Sequence, residues 1–275
     1  MIDILMSTYN GAEFIGPQID SILGQRSAEL RLMIRDDGSS DGTGAIIESY
    51  AASDGRVAAI SDELGNLGVR HAFVRLLELS DAPYFGFADQ DDIWLPEKIA
   101  RSLVKLSEME RAYGEDVPLL VFTDLCVVDR ELNVLDPSFW HYQRLDPEIC
   151  RDWRDLLAQN VVTGSTIVAN AAARLASLPF VLDEMLHDHW VAVNTARAGH
   201  IDFISEPLVQ YRQHDSNAEG ARRAGASYLT GNLSKLMRRM PTYARAAGNF
   251  GGVTAGELFL RKVRLNVRRF VGNRR

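Results

Sequence analysis

Three carboxylates stand within four residues at Asp89-Gln90-Asp91-Asp92, directly after the apolar run Tyr84–Ala88. So much negative charge in one turn is unfavourable unless something positive offsets it. A hard divalent cation, Mn2+ or Mg2+, does so through one or two carboxylates and completes its shell with phosphate oxygens. A polar turn in which Asp92 caps the next helix is the plainer alternative. His187-Asp188-His189-Trp190 opens a later helical stretch. A carboxylate set among imidazoles and an indole is partly desolvated, which raises its pKa from ~3.9 towards that of a general base. An Asp at a helix start is also an ordinary N-cap. Tyr211-Arg212-Gln213-His214 offers an imidazole to a metal and a guanidinium to a phosphate. On spacing alone, a surface His and a salt-bridged Arg serve equally well.

Asp37, Ser39, Asp41, Gly42 and Glu48 match the spacing of a calcium-binding loop. Such a loop needs a helix on both sides, whereas Leu30–Ile34 has the length and composition of a strand. The segment reads better as a strand-to-helix turn that holds a nucleotide base or ribose.

The elements that must position these residues alternate. Apolar runs at Ile2–Met6, Leu30–Ile34, Val57–Ile60 and Tyr84–Ala88 predict strands. Helical spacing follows each: Phe14 to Leu23, the stretch capped by Asp41, Val69 to Leu77, and the stretch from Pro96. This order predicts an α/β fold, a mostly parallel central sheet flanked by helices. In open sheets of that kind, ligands bind beyond the carboxyl ends of the strands. Ser7–Asn10, Asp36–Asp41 and Asp89–Asp92 each follow a strand, so one edge should carry all three, with Asn66-Leu67-Gly68 joining them. Further on, Leu119–Thr123, Val161–Ala169 (a pair interrupted at Gly164), Ile201–Ile204 and Leu208–Arg212 read as strands. His187–Ala198 reads as a helix and Ser138–Gln143 as an aromatic-rich loop.

With 275 residues, 46% of them hydrophobic, the chain can bury the core of one full-sized domain plus an appendage. Cys126 and Cys150 form no disulfide framework and read as reduced thiols. No stretch approaches the roughly 18 apolar residues of a membrane span, and Met1–Met6 reads as a strand, not a leader. A cytoplasmic protein is expected. The formal charge of −7 conceals an asymmetry. Residues 222–275 hold 13 Lys and Arg against one acid, Glu257, whereas residues 1–221 hold 17 basic and 36 acidic residues. Ser227–Met240 and Glu257–Val271 interleave apolar and basic residues, with Leu258, Phe259, Val263, Val267 and Phe270 as the stripe and Leu265 off it. Two outcomes stay open for this tail: lying on an anionic membrane face, or docking on the acidic domain. No recognisable nucleic-acid-binding fold is present.

Met6-Ser7-Thr8-Tyr9-Asn10-Gly11, Asp36-Asp37-Gly38-Ser39-Ser40-Asp41-Gly42-Thr43 and Asp89-Gln90-Asp91-Asp92-Ile93-Trp94 resemble family 2 glycosyltransferases of the GT-A fold. Asn66-Leu67-Gly68, Thr163-Gly164-Ser165-Thr166 and Tyr211-Arg212-Gln213-His214-Asp215-Ser216-Asn217 resemble the rhamnosyltransferase-like branch. The likeness runs from about residue 2 to 217. It implies a catalytic domain over 1–217, nucleotide-binding in 1–110 and acceptor-facing in 111–217, with a basic extension over 218–275. It also implies that Ser7, Thr8, Asn10, Asp36, Asp37, Asn66, Asp89 and Arg212 bind a nucleotide-sugar donor. Asp91, with His214 and Asp89, would hold the metal. Asp188 would be the base, with Asp183 and Glu184 as fallbacks. Trp94, Gly164, Ser165, Thr166 and Trp190 would lie on the acceptor side. The reaction implied is inverting transfer, of rhamnose for example, to a glycan or polyprenyl-linked hydroxyl in cell-surface polysaccharide synthesis. The rival readings are a metal-dependent nucleotide-diphosphate phosphoesterase and a non-catalytic nucleotide-sugar or calcium-binding module.

Overall fold

Ile2, Ile4, Leu5 and Met6 are fully buried, as a central strand covered on both faces requires. They form β1 (Ile2–Thr8). The computed structural model describes residues 1–26, 29–214 and 240–271. From β1 the chain runs through α1 (Ile15–Leu23), β2 (Leu30–Asp36), α2 (Thr43–Ser53), β3 (Val57–Ile60), α3 (Gly68–Leu79) and β4 (Tyr84–Ala88). After β4 come β5 (Ile93–Trp94), α4 (Lys98–Tyr113), β6 (Leu119–Val128), β7 (Val134–Asp136) and α5 (Phe139–Gln143). The remaining elements are α6 (Trp153–Ala158), β8 (Val168–Asn170), α7 (Ala171–Ala176), α8 (His187–Ala198), β9 (His200–Arg212), α9 (Met240–Phe250) and α10 (Ala255–Val271).

One mixed sheet runs β3-β2-β1-β4-β8-β6-β9-β5, with β7 on β6. Strands β1 to β4 pair in parallel, in the alternating pattern read from the sequence. That character gives way where β8 joins antiparallel to both β4 and β6. The register places the polar clusters. Thr8 sits opposite Asp36 across β1–β2, and Met6 opposite Ala88 across β1–β4. The three strands therefore end at one level, and their polar followers share one edge.

Three expected elements differ. Val161–Ala169 is not a strand pair: Gly164–Thr166 forms a 3-10 turn and Val168–Asn170 a short strand. The two late strands are one, β9, whose pairing with β6 shifts register between Thr123 and Asp124, opposite Ile204 and Pro207. Proline has no N–H for the ladder, which is why an apolar-run reading breaks there. Ser138–Gln143 is partly helical, because the Ser138 side chain accepts from His141 N at 3.0 Å and caps α5. Both cysteines are free, and burial pushes the Cys150 thiol up to about 12.

Residues 215–239, which hold Asp215-Ser216-Asn217 and nearly all of the Ser227–Met240 stretch, lie outside the described residues. What is described of the basic extension packs on the acidic domain. Leu258 and Leu265 are buried, Arg261 donates to Asp152 (2.8 Å) and Asp155 (2.7 Å), and Arg264 pairs with Asp155 (2.6 Å). Lys262 reaches Gln159 Oε1 at 3.2 Å. This corrects the expected stripe. The docked face runs through Leu258, Lys262, Leu265 and Arg269, while Val267 (49% exposed) and Leu260 (67%) point outward. The side chain of Phe270 lies outside the described ones. No helix among the described residues is long and apolar enough to cross a membrane.

Leu258→Ala should lower the unfolding free energy by about 2–4 kcal/mol, the usual cost of emptying a buried leucine site. Urea denaturation checks this. An unchanged midpoint would show that α10 is not part of the cooperative fold.

Candidate active site

The acid turn follows β4 and is held from both ends of the chain. Gln90 accepts from Tyr9 N (2.9 Å) and donates to Tyr9 O (3.2 Å). A Cβ on Gly11 would stand 2.3 Å from Gln90 Oε1, so a larger residue there would displace the Gln90 side chain from Tyr9. Gln18 donates to the Asp89 carbonyl at 3.0 Å. From the far end of the chain comes β9. Arg212 N donates to Asp92 Oδ1 (3.2 Å), Arg212 Nε to the Asp91 carbonyl (2.8 Å), and Arg212 Nη1 to the Arg130 carbonyl (2.5 Å). Two residues on, His214 Nε2 lies 2.8 Å from Asp91 Oδ2. Phe14 stacks on the His214 ring at 4.6 Å, with the Arg212 guanidinium 5.0 Å from the Phe14 centroid.

Asp188 sits in the first turn of α8, 8% exposed. Its Oδ1 accepts from His189 N (2.6 Å) and its Oδ2 from Asn160 Nδ2 (3.3 Å). Burial raises its pKa to about 6, with the His189 and Gly164 N–H groups and Asn160 acting against the rise. Asp89 is pushed up to about 7, first by burial and then by the charges of Asp91 and Asp188. The α8 carboxylate is thus near enough to the acid turn for its charge to bear on Asp89. Asp92, fully buried, is held well above the usual range by burial and by Asp91 and Asp89. Burial holds Lys98, whose ammonium lies 3.5 Å over the Trp94 ring, down to about 7.

Several expected ligand contacts are otherwise engaged. Asp37 is 2% exposed. It pairs with Arg35 and accepts from Leu67 N (2.8 Å) and Gly68 N (2.7 Å), so it fixes the loop before α3. Asn66 donates to the Asp37 carbonyl (2.7 Å) and closes that loop. Thr8 is buried, and its hydroxyl donates to Asp36 Oδ1 (3.1 Å). Asp36 also accepts from Ser39 N (3.1 Å) but keeps partial exposure. Ser7 is likewise half-buried at the β1 end. Asn10, at φ 47, accepts from Ser40 N (2.9 Å) and remains exposed. Asp41 accepts from Ala12 N (3.0 Å), Thr43 N (3.1 Å) and Thr43 Oγ1 (2.6 Å). With β2 before it and its carboxylates so engaged, the 36–43 segment is a strand-to-helix turn, not a calcium hand.

The acceptor-side aromatics are corrected outright. Trp94 is 2% exposed in the core. Trp190 is 4% exposed, donates to Ser177 O (2.6 Å) and packs on Phe180 and Phe250. Tryptophan supplies more burial than any other side chain, and here the core takes it. Gly164, Ser165 and Thr166 are buried in their 3-10 turn. A Cβ on Gly164 would meet His187 Nε2 at 3.2 Å and Asp188 Cβ at 3.5 Å, so this turn seats the α8 carboxylate. Arg212, expected at a phosphate, instead clamps the acid turn. Asp183 and Glu184 pair at the surface with His71 and Arg245. His187 stacks on Phe73 at 3.9 Å, and its pKa falls to about 3 through burial and then Arg70, so it stays neutral. Sequence reasoning passed over Asn160, Phe14, Arg70 and Arg130. Their partners lie far along the chain, Asp188 for Asn160, His214 for Phe14, His187 for Arg70 and Arg212 for Arg130, so only the fold brings them together.

Because the folded-state pKa of Asp188 lies above its unfolded value, its ionisation costs stability as pH rises from about 4 through about 6. Asp188→Asn should therefore be more stable than the parent at pH 8, by about 3 kcal/mol, with the difference vanishing near pH 4. Unfolding curves at the two pH values check the sign.

Residues 3–114 match the family described as Glycosyl transferase family 2. A dTDP-rhamnosyl transferase, RfbG of Shigella flexneri, is 27% identical over 229 residues, covering 78% of this chain and 74% of that one. Among solved structures, S. aureus TarS 1-349 in complex with UDP-GlcNAc matches with a TM-score of 0.64 at 14% identity, over 99% of this chain and 73% of that one. The present chain spans 44% of a longer TarS chain. The mannosyltransferase PcManGT from Pyrobaculum calidifontis, in complex with GDP-Man and Mn2+, matches at 0.61 and 18% identity, over 98% of this chain and 70% of that one. Likeness at such low identity speaks for the fold alone. The matched segment, residues 3–114, is that of a glycosyl transferase family 2 domain, and the chain around it adopts the GT-A-like fold of its structural neighbours.

Proposed function

We propose that this chain transfers a sugar from a nucleotide-diphosphate donor to an acceptor hydroxyl with inversion, and that a divalent cation assists it. The observation that carries the reading is the meeting of His214 Nε2 and Asp91 Oδ2 at 2.8 Å in the acid turn after β4, on the sheet edge that also carries Asp36, with the buried Asp188 near enough for its charge to bear on Asp89. The residues fit Mn2+ or Mg2+. An imidazole nitrogen and a carboxylate oxygen converge at His214 and Asp91, with Asp89 supplying surplus negative charge. Among the described residues no group of three or more metal-ligating side chains forms, so donor oxygens and water would complete the shell. Such a cation, when bound, offsets the charge that develops on the departing diphosphate.

The chain's own residues do the rest. Arg212 and Gln90 hold the acid turn against its internal repulsion. Asp36, at the β2 end, keeps the exposure to receive the nucleoside, beside Ser7 and Asn10. Asp188, seated by Gly164 and Asn160, accepts the proton of the attacking hydroxyl. The donor side falls within residues 1–110 and the acceptor side within 111–217. Likeness to RfbG, a dTDP-rhamnosyl transferase, supports rhamnose as the sugar; the acceptor in this reading is a glycan or polyprenyl-linked hydroxyl in cell-surface polysaccharide synthesis. The protein would then work in the cytoplasm, its basic extension bringing it to the inner face of the membrane.

Asp188→Asn should abolish transfer, by about 10³-fold or more, while Mn2+-dependent binding of the nucleotide-sugar survives. Asp91→Ala should weaken that binding itself. Calorimetry with and without EDTA, paired with a transfer assay, separates the two. Failure of any nucleotide-sugar to bind with metal present would end this reading. In wild type, kcat should fall as pH drops through about 6, because the base must be ionised to accept a proton. A flat profile from pH 5 to 8 would remove Asp188 from that role.

A further inference from the structure

Lys98 is the first residue of α4 and is fully buried. Two effects oppose an ammonium there. The N-terminal end of a helix already carries positive partial charge, and burial strips the ammonium of water. Local helix preference therefore does not account for a lysine at this place, whereas its surroundings do. The Trp94 ring offers its face, with the centroid 3.5 Å from Lys98 Nζ. The Asp92 carboxylate, itself fully buried, is near enough for its charge to act on the ammonium.

These groups belong to a larger buried set. Asp92 Oδ2, Trp94 Nε1, Lys98 Nζ, Ser102 Oγ and Ser165 Oγ are all buried, and none has a hydrogen-bond partner among the described residues. Ser102 lies one turn on from Lys98, on the same face of α4. Ser165 belongs to the turn that seats Asp188, and it too lies near enough to act on Asp92. Asp92 is thus close to Lys98 and Ser165 without making a direct hydrogen bond to either. Unpaired polar atoms in an interior are costly, and buried water with about three polar partners is the usual remedy. A carboxylate oxygen, an ammonium and two hydroxyls supply the donors and acceptors such water needs.

The same carboxylate reaches the acid turn from its other oxygen. Asp92 Oδ1 accepts from Arg212 N at 3.2 Å, and two residues on, His214 Nε2 lies 2.8 Å from Asp91 Oδ2. One side chain therefore links the buried ammonium to the backbone that delivers the imidazole.

We propose that Lys98 is a positioning residue: through buried water it balances the charge of Asp92, and Asp92 so held fixes Arg212 and with it the His214–Asp91 pair that would receive the divalent cation. The proposal rests on the transferase reading for its metal, but the clamp itself forms without one.

Lys98→Met keeps the length of the side chain and removes its charge. Direct electrostatics alone would then tighten Mn2+ binding, because a nearby cation is gone. Positioning predicts the reverse: the free-Mn2+ signal in electron paramagnetic resonance of the whole chain should show binding weaker by about tenfold or more. Asp92→Asn needs no counter-charge and keeps an oxygen for Arg212 N. Lys98→Met combined with Asp92→Asn should therefore return to within about threefold of wild type. In EDTA, amide exchange at Arg212, followed by NMR, should quicken by about tenfold or more in Lys98→Met and recover in the double variant. Tighter or unchanged Mn2+ binding in Lys98→Met would overturn the proposal. So would unaltered exchange at Arg212, or a double variant no better than Lys98→Met. Should Lys98→Met alone not fold, a double variant that folds, binds Mn2+ and protects Arg212 supports the proposal, and one that does not overturns it. A wild-type chain that binds no Mn2+ would end the metal reading, and the exchange measurements would still judge the clamp.

Discussion

Mutual repulsion among Asp89, Asp91, Asp92 and Asp188 is the constraint around which the structure is arranged. Like charges gathered in a partly dry cleft cost on the order of a few kcal/mol per pair. Left alone, such a cluster would open to water or stay protonated. It is held closed by groups drawn from the whole chain. Gln90 ties the turn to the loop after β1, Arg212 clamps its backbone from β9, and Lys98 lies buried under Asp92 and Trp94. The cleft is thus a strained reservoir of negative charge, stable enough to persist and suited to a cation and a cationic transition state.

Positioning in this cleft follows from strand register. Thr8 stands opposite Asp36, to which its hydroxyl donates, and β4 ends at Ala88 opposite Met6, so Asp89 follows on the same edge of the sheet. The inner residues of that edge, Asp37, Asn66 and Thr8, then hold the loops, while Asp36 and Asn10 keep the exposure a ligand needs. A buried carboxylate that accepts two backbone N–H groups, as Asp37 does, is worth more to the fold than to a ligand. The antiparallel strands from β8 onward serve another end. They carry the chain back across the sheet, so that the Gly164 turn and α8 face the acid turn.

The basic helix α10 settles a question of charge at the level of the domain. Arg261 and Arg264 meet Asp152 and Asp155 on α6, and the same α6 carries the carbonyl that meets His189 beside the base. Docking therefore buttresses the wall of the cleft as well as screening an acidic surface. Its outward face keeps both apolar and basic residues exposed, because only half of a helix can be buried against one neighbour.

The sequence by itself determined the alternation of strand and helix and the placing of the polar clusters after β1, β2 and β4. Apolar runs and carboxylate spacing are local signals, so they survive without a structure. Residue type alone did not show that Trp94 and Trp190 are buried, or that Asp37, Asn66 and Arg212 hydrogen-bond the backbone of neighbouring loops. Only the tertiary structure could decide those cases, because burial and hydrogen-bond partners are set by segments far apart, as with Arg212 and Asp92 across 120 positions. It likewise decided which face of α10 docks, placing Leu265 inward and Val267 outward, since a helix with apolar residues on both sides chooses by what its neighbour offers. Here the neighbour offered Asp152 and Asp155, and charge oriented the helix.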